Sequence, residues 1–344
     1  MSREGVVRAV DKAMDFTVVL GFSEIGSDLR RRMHGWDTPR VDGRSVMVTG
    51  ANAGLGKAIC LDLARGGAHV HMVCRNREKG ERARAEIEIE TGVEPGLHIC
   101  DLSDLDSVRN FATGFVDRGT GLDVLINNAG VMPPERVHTD QGFELTFATN
   151  LLGPFLLTEL LMPALRGDAT GQFPEADGPG SAGSGSDGTR AAPKRVVMMS
   201  SGGMYSSGFS LEDPQLEDKQ YKPTAVYAHT KRAEVMLADE WQSRAEDGDP
   251  VFCSMHPGWA DTEGVTDALP AFNRIVGPIL RTAAEGGDTA VWLAGATEEE
   301  APGGEFYQDR ESRPKHRIPR TRESAHDRKR LYELCAELTG LASA

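Results

Sequence analysis

Disulfide chemistry has little to work with in this chain. Its five cysteines (Cys60, Cys74, Cys100, Cys253 and Cys335) are widely spaced, odd in number and form no CxxC pair. That spacing supports neither a disulfide framework nor a thiolate zinc site, and reduced core thiols in a cytoplasmic protein are expected instead. The nine histidines form no HExxH or comparable cluster, so no metal is expected. Positive charge is also in deficit: 38 Lys and Arg face 52 Asp and Glu, a formal net charge of −14. Phosphate binding needs a net basic face, which excludes nucleic acid as the main partner. No uninterrupted apolar stretch reaches the roughly 18 residues of a membrane span, so no transmembrane segment is expected. Asp11, Asp15 and Glu24 break up the N-terminal apolar part, which argues against a secretory signal peptide. Internal repeats are absent as well.

What is present is a 39% hydrophobic chain of 344 residues, enough for one large α/β domain with extensions. Residues 1–40 read as an N-terminal helical extension, with Val6, Val10, Ala13, Met14 and Val18 at helical spacing. Two roles stay open for it: an amphipathic helix packed on the body, or a peripheral membrane or partner contact. Residues 41–310 alternate short apolar strands with helical patterns. Val46–Val48, His69–Cys74, Leu97–Cys100, Val124–Ile126, Val196–Met199 and Val251–Met255 read as strands, and Phe306 and Tyr307 start a seventh. The expected fold is α/β: a doubly wound Rossmann fold around a central parallel sheet of about seven strands, as a single domain. Within it, residues 167–193 are rich in Gly, Ser and Pro and have almost no bulky apolar side chains, the composition of a mobile surface loop. Residues 311–344 read as a C-terminal tail, solvated through its basic, Pro-interrupted part and ending in a short helix.

Three local patterns carry chemistry. Thr49-Gly50-Ala51-Asn52-Ala53-Gly54-Leu55-Gly56 lies at the first strand-to-helix junction, where glycines let backbone approach a pyrophosphate at a helix N-terminus. Cys74-Arg75-Asn76-Arg77 ends the second strand, where an NAD-preferring fold places Asp or Glu. Arg75 can instead pair with the 2′-phosphate of NADP, with Lys57 adding charge nearby; the alternative is that Arg75 and Arg77 are simply solvated. Tyr227 and Lys231 stand four apart on a helical pattern, so phenol and ammonium share a face. An ordinary phenol has a pKa of about 10, and a nearby ammonium favours the phenolate.

In order, these patterns resemble the short-chain dehydrogenase/reductases. The glycine loop is followed by Asn127-Asn128-Ala129-Gly130 after the fourth strand, Asn150 in a long helix, Ser200-Ser201 after the fifth strand and Tyr227 to Lys231. His256-Pro257-Gly258, with Thr262, resembles the turn that meets the nicotinamide amide, and Asp101-Leu102 resembles the adenine-contacting pair. Ser200–Met204 and Ser254–Thr262 are closest to an animal dehydrogenase/reductase group near the retinol-dehydrogenase-like branch. The resemblance implies Tyr227 as general acid/base, Lys231 lowering its pKa and holding the ribose, Ser201 on the substrate oxygen, and Asn150 anchoring a relay water. Ser200 remains an alternative to Ser201. Cofactor contacts are implied for Gly50, Asn52, Gly54, Leu55, Gly56, Arg75, Asn76, Asp101, Leu102, Asn128, Ala129, Gly130, Tyr227, Lys231, Pro257, Gly258 and Thr262.

The resulting expectation is an oxidoreductase interconverting a carbonyl and an alcohol, with NADP(H) preferred over NAD(H). The small-molecule substrate is lipophilic if Val265, Leu269, Phe272, Ile275 and Ile279 line the pocket, and those residues could equally be helix packing. The polar loop from Met204 to Thr224 is expected to help choose the substrate. The family's oligomer helices adjoin the insertion, which leaves a homodimer open. The other reading is a catalytically weak sensor or scaffold, a class that usually loses the tyrosine or the lysine.

Overall fold

The computed structural model describes residues 21–167, 192–260 and 279–341. The helical spacing at Val6–Val18, nearly all of the 167–193 insertion, Thr262, and Val265 to Ile275 lie outside the described residues.

Strands buried on both faces call for cover on both sides, and that requirement shapes the fold. β1 (Ser45–Thr49), β2 (His69–Cys74), β3 (Gly96–Ile99), β4 (Val124–Asn127), β5 (Arg195–Met199), β6 (Val251–Met255), β7 (Phe306–Gln308) and β8 (Glu311–Ser312) form one sheet in the order β3-β2-β1-β4-β5-β6-β7-β8. Pairings are parallel throughout except β7 with β8. Side chains of β1 alternate between two cores. Met47 faces a layer built from α4 (Leu105–Asp117), α5 (Leu145–Arg166), α6 (Pro223–Arg244) and α8 (Ala325–Leu338). Val46 and Val48 face α2 (Gly54–Arg65), α3 (Arg77–Thr91) and α7 (Ala283–Gly295). The remaining helix, α1 (Glu24–His34), belongs to the N-terminal segment and ends at Gly35.

Two features depart from expectation. The sheet has an eighth strand, because Asp309 and Arg310 both adopt positive φ (55° and 57°) and turn the chain back on β7. The basic C-terminal stretch is not a solvated tail. Arg310 forms a two-pronged ion pair with Asp288, Lys315 meets Asp239 at 2.7 Å, and Arg232 grips Glu323. Leu331 and Cys335 of α8 then enter the main core. Composition suggested solvation, but each of these charges has a partner on the body.

α5 is long and apolar enough to cross a membrane by composition, yet most of it is buried inside the fold. All five cysteines are buried free thiols.

Candidate active site

Strand β1 has β2 on one side and β4 on the other, so connections leave it in opposite directions and a crevice opens at the carboxyl ends. The glycine loop sits there. Gly50 takes φ +67°, and a Cβ on Gly56 would strike the Gly50 carbonyl and lie 2.6 Å from Asn128 Nδ2. Helix α2 starts at Gly54 behind Ala53, which makes no side-chain cap, so its first N–H groups are available to an anion. Asn52, Gly54 and Leu55 are half-buried at the rim. These features fit the pyrophosphate of NAD(P).

Asn128 fastens the crevice. Its Nδ2 donates to the Thr49 carbonyl at 2.7 Å, while the Asn128 and Ala129 N–H groups both donate to Thr49 Oγ1 at 3.0 Å. Asn150 lies in a π-turn, Ala148–Leu152, within α5, and turns of that kind concentrate at functional sites. It brackets Val131, accepting from its N–H at 2.8 Å and donating to its carbonyl at 3.2 Å, and also donates to Thr230 Oγ1. Gly130 lies between: a Cβ there would be 3.4 Å from Lys231 Nζ and 3.5 Å from Asn150 Oδ1. Asn150, Gly130 and Lys231 therefore converge.

The two serines separate. Ser200 is buried and donates from Oγ to the Lys231 carbonyl at 2.6 Å, tying β5 to α6. Ser201 is half-buried, and its Oγ accepts the Gly203 N–H at 3.0 Å. A Cβ on Gly203 would lie 3.6 Å from the backbone of Ala228, so the turn after Ser201 rests on α6 beside Tyr227. Lys231 Nζ lies 5.5 Å from the Tyr227 ring centroid and donates to the Met199 carbonyl at 2.8 Å and Glu234 Oε1 at 2.7 Å. Burial opposes the lysine's charge, but Glu234 and Tyr227 outweigh it, so its pKa is raised.

At the ribose end, Arg75 is 65% exposed, with Nε 4.0 Å from Asp101 Oδ2. Asn76 caps α3 by accepting the Lys79 N–H, and Lys57 pairs with Glu86 rather than standing free. Asp101 Oδ1 accepts from the Ser103 N–H and hydroxyl, and Leu102 is buried against Gly153. Thr262 lies outside the described residues.

No sequence pattern announces the support behind Pro257 and Gly258. Arg281 Nη1 donates to the Pro257 carbonyl, and a Cβ on Gly258 would collide with the same guanidinium. Asp309 holds Arg281 at 2.6 Å and also pairs with Arg30 of α1, all three fully buried. His256 Nδ1 accepts the Gly202 N–H at 3.1 Å. Burial, then Arg281, lowers its pKa to about 3, so the ring is neutral and carries its proton on Nε2. Phe22 packs edge-on against that ring, 4.6 Å between centroids. Phe22 lies within the N-terminal extension, and no sequence pattern singled it out.

Residues 44–173 match the family model described as short chain dehydrogenase. Dehydrogenase/reductase SDR family member 12 from Bos taurus is 40% identical over 302 residues, covering 87% of both chains. The chain is a short-chain dehydrogenase/reductase. Retinol dehydrogenase 14 from Homo sapiens is 30% identical, covering 92% of each. A solved short chain dehydrogenase from Shigella flexneri, complexed with NADP, superposes with a TM-score of 0.55 at 23% identity, covering 80% of this chain and all of its own. As a short-chain dehydrogenase/reductase this protein is an oxidoreductase acting on CH–OH groups, with a fold that binds NAD(P).

Proposed function

We propose that this enzyme is an NADP(H)-dependent carbonyl reductase or alcohol dehydrogenase for a lipophilic substrate, with Tyr227 as general acid/base. The observation that carries the reading is the convergence of Tyr227, Lys231 and Gly130 beside the turn that presents Ser201, at the mouth of the crevice. When bound, the cofactor supplies or takes up the hydride. In reduction, Tyr227 gives its phenolic proton to the carbonyl oxygen as negative charge develops there. Ser201 donates a hydrogen bond to the same oxygen. The Lys231 ammonium stabilises the phenolate left behind; lowering a phenol's pKa by three units takes about 4 kcal/mol of differential interaction. Asn150 Oδ1 keeps a second lone pair for a water that returns the proton from solvent through Lys231.

NADP is favoured because β2 ends in buried Cys74, with no carboxylate to take the ribose hydroxyls, and exposed Arg75 follows it. The retinol dehydrogenase relative supports a lipophilic substrate. A pocket of about 300 Å³ at the start of α6, lined by Leu216, Lys219, Gln220, Lys222, Ala225 and Val226, lies beside Tyr227 in sequence. The buried free thiols support a reducing compartment, the cytoplasm.

Fluorescence titration with NADPH and NADH tests the cofactor. NADPH is expected to bind more tightly, and Arg75→Ala to weaken it by about 1–3 kcal/mol. Equal, weak binding of both nucleotides would favour a sensor instead. In a screen of carbonyl compounds, Tyr227→Phe is expected to remove turnover while NADPH still binds.

A further inference from the structure

We propose that Glu234 is a positioning residue for this reaction: its carboxylate anchors the Lys231 ammonium and thereby sets the pH range over which Tyr227 exchanges its proton. The inference rests on Tyr227 and Lys231 acting as proposed above.

Tyr227, Lys231 and Glu234 stand at i, i+4 and i+7 of α6, one above another on a single face. Lys231 and Glu234 are 3% and 2% exposed, and Nζ to Oε1 is 2.7 Å. An ammonium has three protons. Glu234 takes one and the Met199 carbonyl another, which leaves a single N–H for the side where Tyr227 and Gly130 lie. Glu234 therefore fixes which way the catalytic charge points.

The packing does not need an acid here. Val235, Met236 and Leu237, the next residues of α6, are apolar and buried, and Glu234 Oε2 has no hydrogen-bond partner among the described residues. Burying a carboxyl with one oxygen unpartnered is unfavourable, so a purely structural position would be filled better by an amide or an apolar side chain. The surroundings are otherwise neutral. β5 contributes the Met199 carbonyl, and among the described residues Lys231 and Tyr227 are the charged or titratable groups acting on the pair. Burial pushes the Glu234 carboxyl up, against the pull of the Lys231 ammonium.

The sign follows. With Glu234 protonated, the Lys231 charge acts on Tyr227 unopposed and the phenolate is favoured. With Glu234 ionised, the pair is nearly neutral and Tyr227 holds its proton more tightly. Glu234→Gln keeps the shape and removes the charge. It is expected to move the acidic limb of alcohol oxidation down by about one pH unit, the effect of one charge several ångströms away at an effective dielectric near 20. Absorbance titration of the phenolate, taken as the difference between each enzyme and its Tyr227→Phe counterpart, is expected to shift down equally. An unmoved limb and an unmoved phenolate titration in a folded Glu234→Gln would overturn the proposal. Should that variant not fold, Glu234→Met takes its place: an acidic limb and a phenolate titration both shifted down support the proposal, and both unmoved overturn it. Turnover surviving in Tyr227→Phe would instead overturn the acid–base reading beneath it.

Discussion

Ser200 Oγ is committed to the Lys231 carbonyl at 2.6 Å, whereas Ser201 Oγ holds only the Gly203 N–H and stands half-exposed above α6. Their alanine variants are expected to fail differently. Ser201→Ala should lower kcat by about 10²- to 10³-fold with little change in Tm, the penalty of losing one donor to a developing oxyanion. Ser200→Ala should cost about 0.5–1.5 kcal/mol of stability, because it removes a buried hydrogen bond that ties β5 to α6. Steady-state kinetics beside thermal melts separates them, and the reverse pattern would exchange their roles. At this scale the sequence was legible where spacing alone defines a face. Tyr227 with Lys231 was one such case, and Glu234 three residues on was equally readable but passed over. What holds His256 and Asn76 in place was not, because the first is fixed by a bond to Gly202 from the end of the neighbouring strand and the second caps α3.

On neighbouring strands β2 and β3, His71 and His98 form part of a proton ladder. The Ser45 hydroxyl gives its only proton to the Gly121 carbonyl, so it accepts from His71 Nε2; His71 Nδ1 then accepts from His98 Nε2. A second proton on His71 Nδ1 removes the acceptor and breaks the rung to His98, whereas one on His98 enters at Nδ1 and leaves its Nε2–H donating. Burial, with the neighbouring charges adding to it, lowers both pKa values from 6.5 to about 4. The unfolded chain therefore binds protons that the folded one refuses between those values. Stability from the two neutral rings is complete above about pH 6.5 and declines as pH falls towards 4, by up to about 3 kcal/mol for each ring. Melts across that range check this, and His98→Phe, which stacks without titrating, is expected to flatten the decline. Six parallel strands and their helices were legible because each is a short, mainly apolar run followed by a helical period. β8 was not, since Glu311 and Ser312 are exposed and polar and their pairing follows from the Asp309–Arg310 turn.

Across the whole molecule, the N-terminal segment is joined to the active-site turn. Asp309 pairs with Arg30 and Arg281, and the Gly21 carbonyl accepts from Arg30, Arg281 and Gln308. Asp309→Asn leaves two buried guanidiniums short of a charge and is expected to cost about 3–5 kcal/mol. NADPH affinity should fall with it, because Arg281 supports Pro257. Calorimetry with and without NADPH measures both, and an unchanged Tm would show the triad to be dispensable. None of this was legible beforehand, because charge pairs between positions 30 and 309 leave no local pattern. The Gly21 to Gln308 bond spans 287 positions of chain. A ribosome must therefore extrude the chain through Gln308 before the Gly21 carbonyl can be tied down, and the nascent Rossmann core waits with its catalytic turn unbraced until Asp309 and Gln308 emerge.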